Sequence, residues 1–371
     1  MDLLSICKDL IQMPSVTGNQ VEIDRAISYC QNLFQGTDAI VKVIQEGDVP
    51  PLLYIANKET DTPDIAVLGH LDVVPADPKQ FVPEEKEGRL YGRGSLDMKS
   101  FAAVAFQSMM CVLNEKLPLS MAILLETDEE VGSSCMRHFV ATHPNFIPKV
   151  VLDVDVGGDI SKIIDKCKRA VFLRLTAEGL AAHGSLPWEG KDANERLLQS
   201  ITNLRQKFPY YSLNENVPTD KWVNTMHVGK IHGGETVNII CGKATADLDF
   251  RLLPDVDLDL FYKDIEAALK PGVSYSILTC GLPVVVPQEN PILKRYKEIA
   301  EKVLGHPIDF QQTGGATTSL LFAQKGSLII YHSGSGADMH GANEYLELPT
   351  LYQLADIQQT FLRTYAHETG N

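Results

Sequence analysis

Paired cysteines, positive charge and long apolar runs are all scarce in this sequence. The seven cysteines are scattered, odd in number and free of any CxxC pair, which is typical of a protein from a reducing compartment. Lysine and arginine number 33 against 48 aspartates and glutamates, giving a formal net charge of −15. This excess of negative charge argues against nucleic acid or an anionic membrane surface as the main partner.

The apolar stretches are too short to cross a membrane. The most apolar one, Phe101 to Leu113, is interrupted by Gln107 and Ser108, whereas a membrane-spanning helix needs ~20 apolar residues. The N-terminal stretch MDLLSICKDLIQMPSV lacks a basic segment followed by a small-residue cleavage site, so it does not resemble a signal peptide. We therefore expect a cytoplasmic protein with no membrane partner.

The first part of the chain alternates between strand-like and helical patterns. Apolar strand patterns occur at Ile40–Ile44, Leu52–Ile55, Ile65–Leu68 and Met121–Leu125. A long apolar helix pattern occupies Ser100–Leu113. The same character returns after Gly281. This predicts an α/β fold with a central, mostly parallel sheet sandwiched by helices, built from residues 1–168 and 281–371.

Between these two parts, apolar and polar residues alternate as in strands with one face in water. Such strands are predicted at Thr225–Val228, Thr236–Cys241 and Ala244–Arg251, and a helix around Ala193–Phe208. Residues 169–280 are therefore expected to form an inserted α+β domain with a ferredoxin-like, split-βαβ arrangement.

Acidic and histidine residues follow several of the predicted strands. They are His70 and Asp72, Asp97, Glu129 and Glu130, Asp153 and Asp155, and His340. Taken singly, each has an ordinary explanation, such as a helix cap for Asp97 or an exposed turn for Glu129 and Glu130. Successive acids after a buried strand are costly, however, unless a cation or water balances them. The spacing alone does not decide between Asp153 and Asp155 as a ligand.

Together, these residues match the needs of a pair of divalent ions, which require nitrogen and oxygen ligands and a bridging carboxylate. Asp97, delivered by a glycine-containing stretch, suits the bridge because each of its oxygens can bind one ion. His70 can offer a ring nitrogen while Asp72, on the same side of the strand, fixes its tautomer. The adjacent Glu129 and Glu130 can diverge, one to a metal and the other to a water molecule.

Several motifs along the chain resemble those of one known family. They are GHLDVVPAD, GRGSLDMK, ETDEEVG, AAHGS, TVNII…DFRLLPD and HGANE. In this order they are similar to the motifs of the co-catalytic zinc hydrolases that include acetylornithine deacetylase, succinyl-diaminopimelate desuccinylase, carboxypeptidase G and aminoacylase. The resemblance spans nearly the whole chain.

The resemblance implies a role for each candidate residue. The expected metal ligands are His70, Asp97 as the bridge, Glu130, Asp155 and His340. Asp155 is favoured over Asp153 because it is closer to the double glycine that follows. Glu129 is expected to act as the general base, and Asp72 to orient His70.

The inserted domain resembles the family's lid, or dimerisation, domain. This implies that His183 completes the oxyanion site, often that of the neighbouring subunit. Asn238 and Arg251 match lid positions that face the carboxylate of the substrate. A homodimer formed through this domain is therefore expected.

The resemblance also implies a reaction, the hydrolysis of an amide bond in a small N-acyl amino acid by water that two divalent ions activate. Zinc is favoured, and cobalt and manganese also suit His and carboxylate ligands. A dipeptidase or carboxypeptidase of the same family is the alternative. Two rivals are disfavoured: a non-catalytic metal-binding relative by the intact Glu129–Glu130 pair, and a two-metal phosphoesterase by the order of the motifs.

One segment departs from the family pattern. The family often carries an acid in a glycine-rich segment before its last strand, as in GGTSD or GTDA. Here the segment is Thr313–Ser319, with the sequence TGGATTS and no acid. The departure leaves the expected metal ligands intact but alters the usual substrate-binding pattern.

Overall fold

The structure, a computed structural model, describes residues 2–208, 217–315 and 317–369. Its α-helices are α1 (Leu3–Ile11), α2 (Gln20–Leu33), α3 (Lys99–Glu115), α4 (Ser134–Thr142), α5 (Ala193–Lys207), α6 (Leu258–Ala268), α7 (Pro291–Leu304), α8 (Leu320–Ala323) and α9 (Leu348–Thr369). Its strands are β1 (Ile40–Ile44), β2 (Leu52–Ala56), β3 (Ile65–His70), β4 (Glu84–Lys86), β5 (Arg89–Tyr91), β6 (Met121–Glu126), β7 (Val150–Asp153), β8 (Lys162–Cys167), β9 (Arg169–Glu178), β10 (Thr225–Gly233), β11 (Lys243–Leu252), β12 (Val273–Cys280), β13 (Val284–Val285), β14 (Asp309–Thr313), β15 (Leu328–Tyr331), β16 (Gly336–Ala337) and β17 (Tyr345–Glu347). Within these described ranges, none of the helices combines the length and the apolar character that crossing a bilayer requires.

The chain divides into two compact units. The first unit comprises Met1–Asp165, Val286–Gln311 and Thr317–Asn371, and the second unit comprises Lys166–Val285 and Gln312–Ala316. The sequence predicted the boundaries at 168/169 and 280/281. It did not indicate that the short segment 312–316 belongs to the second unit.

The first unit contains a mixed sheet with the strand order β1-β2-β6-β3-β7-β15-β8. Strand β3 is parallel to β6 and β7, and β7 is parallel to β15, whereas β1–β2, β2–β6 and β15–β8 are antiparallel. Every residue of β2, β3, β6 and β7 is buried, as expected for continuous apolar runs. The predicted α/β fold is confirmed; the sheet is mixed, with parallel strands in its middle and antiparallel pairs on either side. The connection 45–51 between β1 and β2 is too short for a crossover, which imposes antiparallel pairing there.

Parallel pairing brings the carboxyl ends of neighbouring strands to one edge of the sheet. His70 at the end of β3 is paired with Glu126 of β6, and Leu68 of β3 with Asp153 of β7. Tyr331 of β15 is paired with Asp153 as well. Ligands of open α/β sheets bind outside this edge, so the sheet places the residues that follow β3, β6 and β7 where a site is expected.

Helix α3 is almost wholly buried and packs against α1 and α9. Its first residue, Lys99, is fully buried, and its ammonium group donates hydrogen bonds to the carbonyl oxygens of Leu10 (3.0 Å) and Met13 (2.5 Å). Backbone acceptors at a helix end lack helical partners, so Lys99 supplies donors for the end of α1. The same burial lowers the pKa of Lys99 to about 7.

A small antiparallel sheet with the order β16-β17-β5-β4 holds two loops together. Strand β5 pairs with β17, with Tyr91 opposite Tyr345. The chain leads from β5 to Asp97, and the loop between β16 and β17 contains His340. The pairing therefore brings together two candidate residues that are far apart in the sequence.

The second unit has the order β-α-β-β-α-β, formed by β9, α5, β10, β11, α6 and β12. Its strands make an antiparallel sheet in the order β10-β11-β9-β12. Burial alternates along β9 and β11, and their buried residues, such as Leu173, share a core with Leu197 of α5 and Ile265 of α6. The predicted ferredoxin-like α+β arrangement is confirmed.

One predicted strand in this unit is wrong. Thr236–Cys241 is not a strand; instead β10 continues to Gly233, and Gly234 then adopts a φ of 84°, a conformation that suits glycine and ends the strand. Further on, the N–H of Ile240 donates to the carbonyl oxygen of Ala182 at 2.8 Å. The alternating apolar residues of this stretch therefore belong to a loop, which is hydrogen-bonded to the loop that contains Ala182.

Candidate active site

The candidate residues of the first unit meet at the carboxyl edge of its sheet. His70 is fully buried, and its Nε2 lies 3.0 Å from Oδ1 of Asp97 and 3.7 Å from Oδ2 of Asp155. The Nε2 of His340 lies 2.9 Å from Oδ2 of Asp97 and 3.2 Å from Oε2 of Glu130. The Asp97 carboxylate therefore contacts both histidines, one with each oxygen.

These residues form two groups whose ligand atoms lie within 4.8 Å of one another. The groups are His70, Asp97 and Asp155, and Asp97, Glu130 and His340. Each residue that the sequence predicted as a metal ligand belongs to one of them, and Asp97 belongs to both. Asp153, the alternative to Asp155, belongs to neither group among the described residues. Its Oδ1 instead accepts the backbone N–H of Asp155 at 3.0 Å.

Asp72 connects the segments that carry these residues. Its carboxylate accepts the backbone N–H groups of Glu129 and Glu130 at 3.2 and 3.3 Å and the hydroxyl of Thr17 at 2.7 Å. The Nδ1 of His70 lies 2.9 Å from the carbonyl oxygen of Asp72 and 3.5 Å from its carboxylate. The acceptor nearest to Nδ1 is thus a backbone carbonyl, which the sequence did not predict. This contact leaves Nε2 to face Asp97.

Negative charge is concentrated at the two groups. Burial, together with the nearby Asp97, raises the pKa of Glu130 to about 7 and raises that of Asp155 as well. Burial alone would lower the pKa of His70, but its hydrogen bonds with Asp72 and Asp97 raise it well above the usual value. Oε1 of Glu130 is buried without a hydrogen-bond partner. Buried carboxylates beside too little positive charge show such shifts, and these oxygen and nitrogen donors fit divalent cations.

Metal binding is expected to release protons near neutral pH. Glu130 has a pKa of about 7 in the metal-free chain and is therefore partly protonated at pH 7, and a bound cation displaces that proton. Titration calorimetry of metal-free protein with zinc should give an apparent enthalpy that changes with the ionisation enthalpy of the buffer. Glu130→Gln should release fewer protons than the wild type. An enthalpy that is the same in every buffer would contradict this prediction.

A buried ion pair holds the loop that carries Asp97. Glu344, which is 1% exposed, pairs with Arg93. The other oxygen of Glu344 accepts backbone N–H groups of the loop, those of Gly94 (3.0 Å), Leu96 (2.9 Å) and Asp97 (3.0 Å). Arg93 also donates to the carbonyl oxygen of His340 at 2.9 Å. Neither Arg93 nor Glu344 was predicted as a site residue, although both lie in matched motifs, GRGSLDMK and HGANE, which is the signal that could have found them.

Replacing Glu344 with alanine is expected to destabilise the fold strongly. The change leaves the guanidinium of Arg93 buried without its carboxylate, and breaking one side of a buried pair typically costs about 3–5 kcal/mol. Urea denaturation of metal-free E344A, followed by circular dichroism, should show a lower midpoint than the wild type. The exposed Lys42–Glu59 pair supplies the control, because E59Q should leave the midpoint unchanged. An unchanged midpoint for E344A would show that the pair does not hold the loop.

A third group of possible ligands consists of Glu126, Asp128 and Cys135. The carboxylate of Asp128 already accepts the N–H of Ser134 at 2.6 Å, the hydroxyl of Ser134, and the N–H of Cys135 at 3.3 Å. Burial raises the pKa of the Cys135 thiol, which disfavours the thiolate that binds metal. Asp128 therefore supports the start of α4.

The residues predicted for the lid all lie in the second unit. His183 and Asn238 are neighbours there, since the N–H of Gly184 donates to the carbonyl oxygen of Asn238 at 2.7 Å. Arg251 lies on β11, where its guanidinium pairs with Asp249 at 2.9 Å. Within this unit, a backbone hydrogen bond thus brings the segments of His183 and Asn238 together. Arg251 is paired with Asp249 instead.

Known proteins share these features of sequence and fold. The profile described as Peptidase family M20/M25/M40 matches residues 66–364. Succinyl-diaminopimelate desuccinylase of Bordetella parapertussis is 27% identical over 384 residues, covering 97% of this chain and 97% of the relative. Acetylornithine deacetylase of Proteus mirabilis is 26% identical over 367 residues, covering 93% and 92%. Among solved structures, the M20 family metallo-carboxypeptidase Sso-CP2 of Sulfolobus solfataricus is similar in fold, with a TM-score of 0.79 and 19% identity, and the match covers 99% of this chain and 100% of that one.

The profile match extends over most of the chain, from β3 to the last helix. The family that the motifs resemble and the α/β fold that they imply are therefore confirmed, and so is an enzyme that acts by hydrolysis. The chain belongs to peptidase family M20/M25/M40 and is a hydrolytic enzyme.

Proposed function

We propose that this M20 family member hydrolyses the amide bond of a small N-acyl amino acid with the help of two divalent ions. The Asp97 carboxylate carries the proposal, because its two oxygens contact His70 and His340 separately, at 3.0 and 2.9 Å. Such a carboxylate would help to hold both ions, because each of its oxygens faces one group of ligand atoms. The similarity to a desuccinylase and a deacetylase supports an acyl group as the part removed.

The proposed ligand sets follow the two groups at the site. One ion would be held by His70, Asp97 and Asp155, and the other by Asp97, Glu130 and His340. When bound, such ions polarise the carbonyl of the substrate and lower the pKa of water towards neutrality. Zinc is the first choice for this mixture of imidazole and carboxylate, and cobalt and manganese also suit it.

Glu129 is the proposed general base. It is adjacent to the proposed ligand Glu130, yet among the described residues its carboxylate belongs to neither group of ligand atoms. Its backbone N–H donates to Asp72, which fixes the turn that carries it. Burial raises the pKa of Glu129. A raised pKa suits a carboxylate that takes a proton from water and returns it to the leaving amine near neutral pH.

His183 is the proposed donor to the oxyanion, and Asn238 and Arg251 are the proposed contacts of the substrate's carboxylate. The N–H of Ser185 donates to Nδ1 of His183 at 3.2 Å, so the neutral imidazole carries its proton on Nε2. An Nε2–H is a suitable donor to a tetrahedral oxyanion. A substrate carboxylate would compete with Asp249 for the Arg251 guanidinium, since those two side chains are paired.

We further propose a homodimer formed through the second unit. Trp188 is 76% exposed and Val237 is fully exposed, and both lie in the loops that carry His183 and Asn238. Exposed aromatic side chains are enriched at protein interfaces. Size-exclusion chromatography with light scattering should give twice the chain mass of 40.9 kDa, and W188S should shift the mass towards the monomer. A wild-type monomer would overturn this part of the proposal.

A substrate panel tests the proposed reaction. Metal-free protein reloaded with zinc, cobalt or manganese is assayed on N-acetyl and N-succinyl amino acids and on dipeptides under the same conditions. We expect kcat/KM for at least one N-acyl amino acid to exceed that for every dipeptide. The reverse order would favour the alternative, a dipeptidase or carboxypeptidase, and turnover of neither class by metal-loaded protein would overturn the proposal.

A further inference from the structure

Two threonines contact buried carboxylates at the carboxyl edge of the central sheet. The hydroxyl of Thr318 donates to Glu126, and the hydroxyl of Thr317 donates to Asp153. Glu126 and Asp153 are each only 1% exposed. Both threonines come from Thr313–Ser319, the segment that lacks an acid. The segment therefore brings hydroxyl donors to the site rather than a further carboxylate.

Each of these buried carboxylates lies next to a proposed metal ligand. Glu126 is the last residue of β6 and is paired in the sheet with His70. Asp153 is the last residue of β7, and its Oδ1 accepts the backbone N–H of Asp155 at 3.0 Å, while its Oδ2 accepts the hydroxyl of Thr317. Asp153 thus contacts the backbone of Asp155 directly, and Glu126 is the neighbour of His70 across the parallel strand pair.

The threonine hydroxyls matter because a buried carboxylate is costly unless it is hydrogen-bonded. Oε2 of Glu126 lacks a hydrogen-bond partner among the described residues, so the bond from Thr318 to Oε1 orients that side chain. On the other side, Oγ1 of Thr317 lies 2.7 Å from Oγ of Ser319. The segment therefore makes two separate contacts, one from the linked Thr317 and Ser319 hydroxyls to Asp153 and one from Thr318 to Glu126.

We propose that Thr317 and Thr318 are positioning residues of the metal site, which act through Asp153 and Glu126 on the neighbouring ligands. The inference rests on the proposed function, since it concerns the ligands named there. The same geometry accounts for the missing acid. An acid in place of Thr318 would put a second carboxylate against Glu126 and remove a donor, so in this chain β6 supplies the acid of the pair and the segment supplies the hydroxyl.

Variants that remove or keep the hydroxyl test the inference. T318V is nearly isosteric but lacks the hydroxyl, and we expect it to lower zinc affinity and kcat by about 10–100-fold, the usual effect of losing a partner behind a metal ligand, with a much smaller change in KM. T317V should act in the same direction through Asp153. T318S keeps the hydroxyl and should stay close to the wild type. The control is T364V, whose lost hydroxyl bond goes to the Thr360 carbonyl oxygen in α9 and should change neither quantity.

An exchange of the two partners tests the pairing itself. E126T leaves two hydroxyls facing each other with no acid between them. T318E places two buried carboxylates against each other. Each single variant should therefore lose zinc affinity and activity. The double variant E126T/T318E restores one acid and one hydroxyl, and it should recover a large part of both. A double variant no better than the poorer single variant would overturn the proposed pairing.

The outcomes separate this inference from the proposed function. Zinc titration with a chelating dye and turnover of the wild type test the function first, and failure there removes both. If the wild type passes and T318V matches it in zinc affinity, kcat and KM, the inference fails while the function stands. A T318V protein that melts at a lower temperature but keeps the zinc affinity and kcat of the wild type also overturns it, because the role of the residue would then be structural.

Discussion

Replacing Glu129 with alanine is expected to lower kcat by about 10²–10⁴-fold, the contribution that a general base makes, while bound zinc stays at the wild-type level. The two effects separate because Glu129 belongs to neither group of ligand atoms among the described residues. Its neighbour Glu130, in contrast, lies 3.2 Å from His340. Replacing Glu129 therefore leaves the proposed ligands in place. E130A, in contrast, should lose bound metal.

Steady-state kinetics and metal analysis on the same samples check this prediction. E129Q is the closer test, since it keeps the shape of the side chain and removes its ability to accept a proton. Glu46, which is exposed and pairs with His138, provides the control, because E46Q should change neither metal content nor kcat. Wild-type turnover in both E129A and E129Q would contradict the assignment of Glu129 as the general base.

The central strands were predictable because their residues are almost all apolar. The predicted strands Ile65–Leu68 and Met121–Leu125 appear as β3 and β6, each extended at its carboxyl end to include a polar residue. The extension arises because the parallel pairing continues through His70 and Glu126. The clustering of the candidate residues was predictable for a related reason: polar residues that follow neighbouring parallel strands lie at the same edge of a sheet.

Contacts that use backbone atoms were not predictable. The carbonyl oxygen of Asp72 faces His70, and Glu344 accepts backbone N–H groups from the loop that carries Asp97. Every residue other than proline carries the same backbone donor and acceptor, so the sequence holds no sign of which ones a side chain will use. The hydrogen bond from Thr318 to Glu126 was hidden for another reason, since it joins residues far apart in the chain.

Replacing Asp97 with alanine is expected to remove both metal ions and to abolish measurable turnover. The carboxylate contacts His70 with one oxygen and His340 with the other, and among the described residues no other side chain belongs to both groups of ligands. The change therefore removes one ligand from each proposed ion at once. It also removes a negative charge from between His70, which is buried, and His340, which is exposed, so the site would attract an incoming cation less strongly.

H340A is the matched comparison, because His340 belongs to one group only. It should lose the ion that it shares with Glu130 and keep the one held by His70, Asp97 and Asp155. After dialysis against the same free zinc concentration, we expect about two ions per chain in the wild type, about one in H340A and almost none in D97A, as a bridged pair requires. Circular dichroism establishes that each variant is folded. A folded D97A that still holds two zinc ions would contradict the bridge, and with it the two-metal mechanism that depends on this carboxylate.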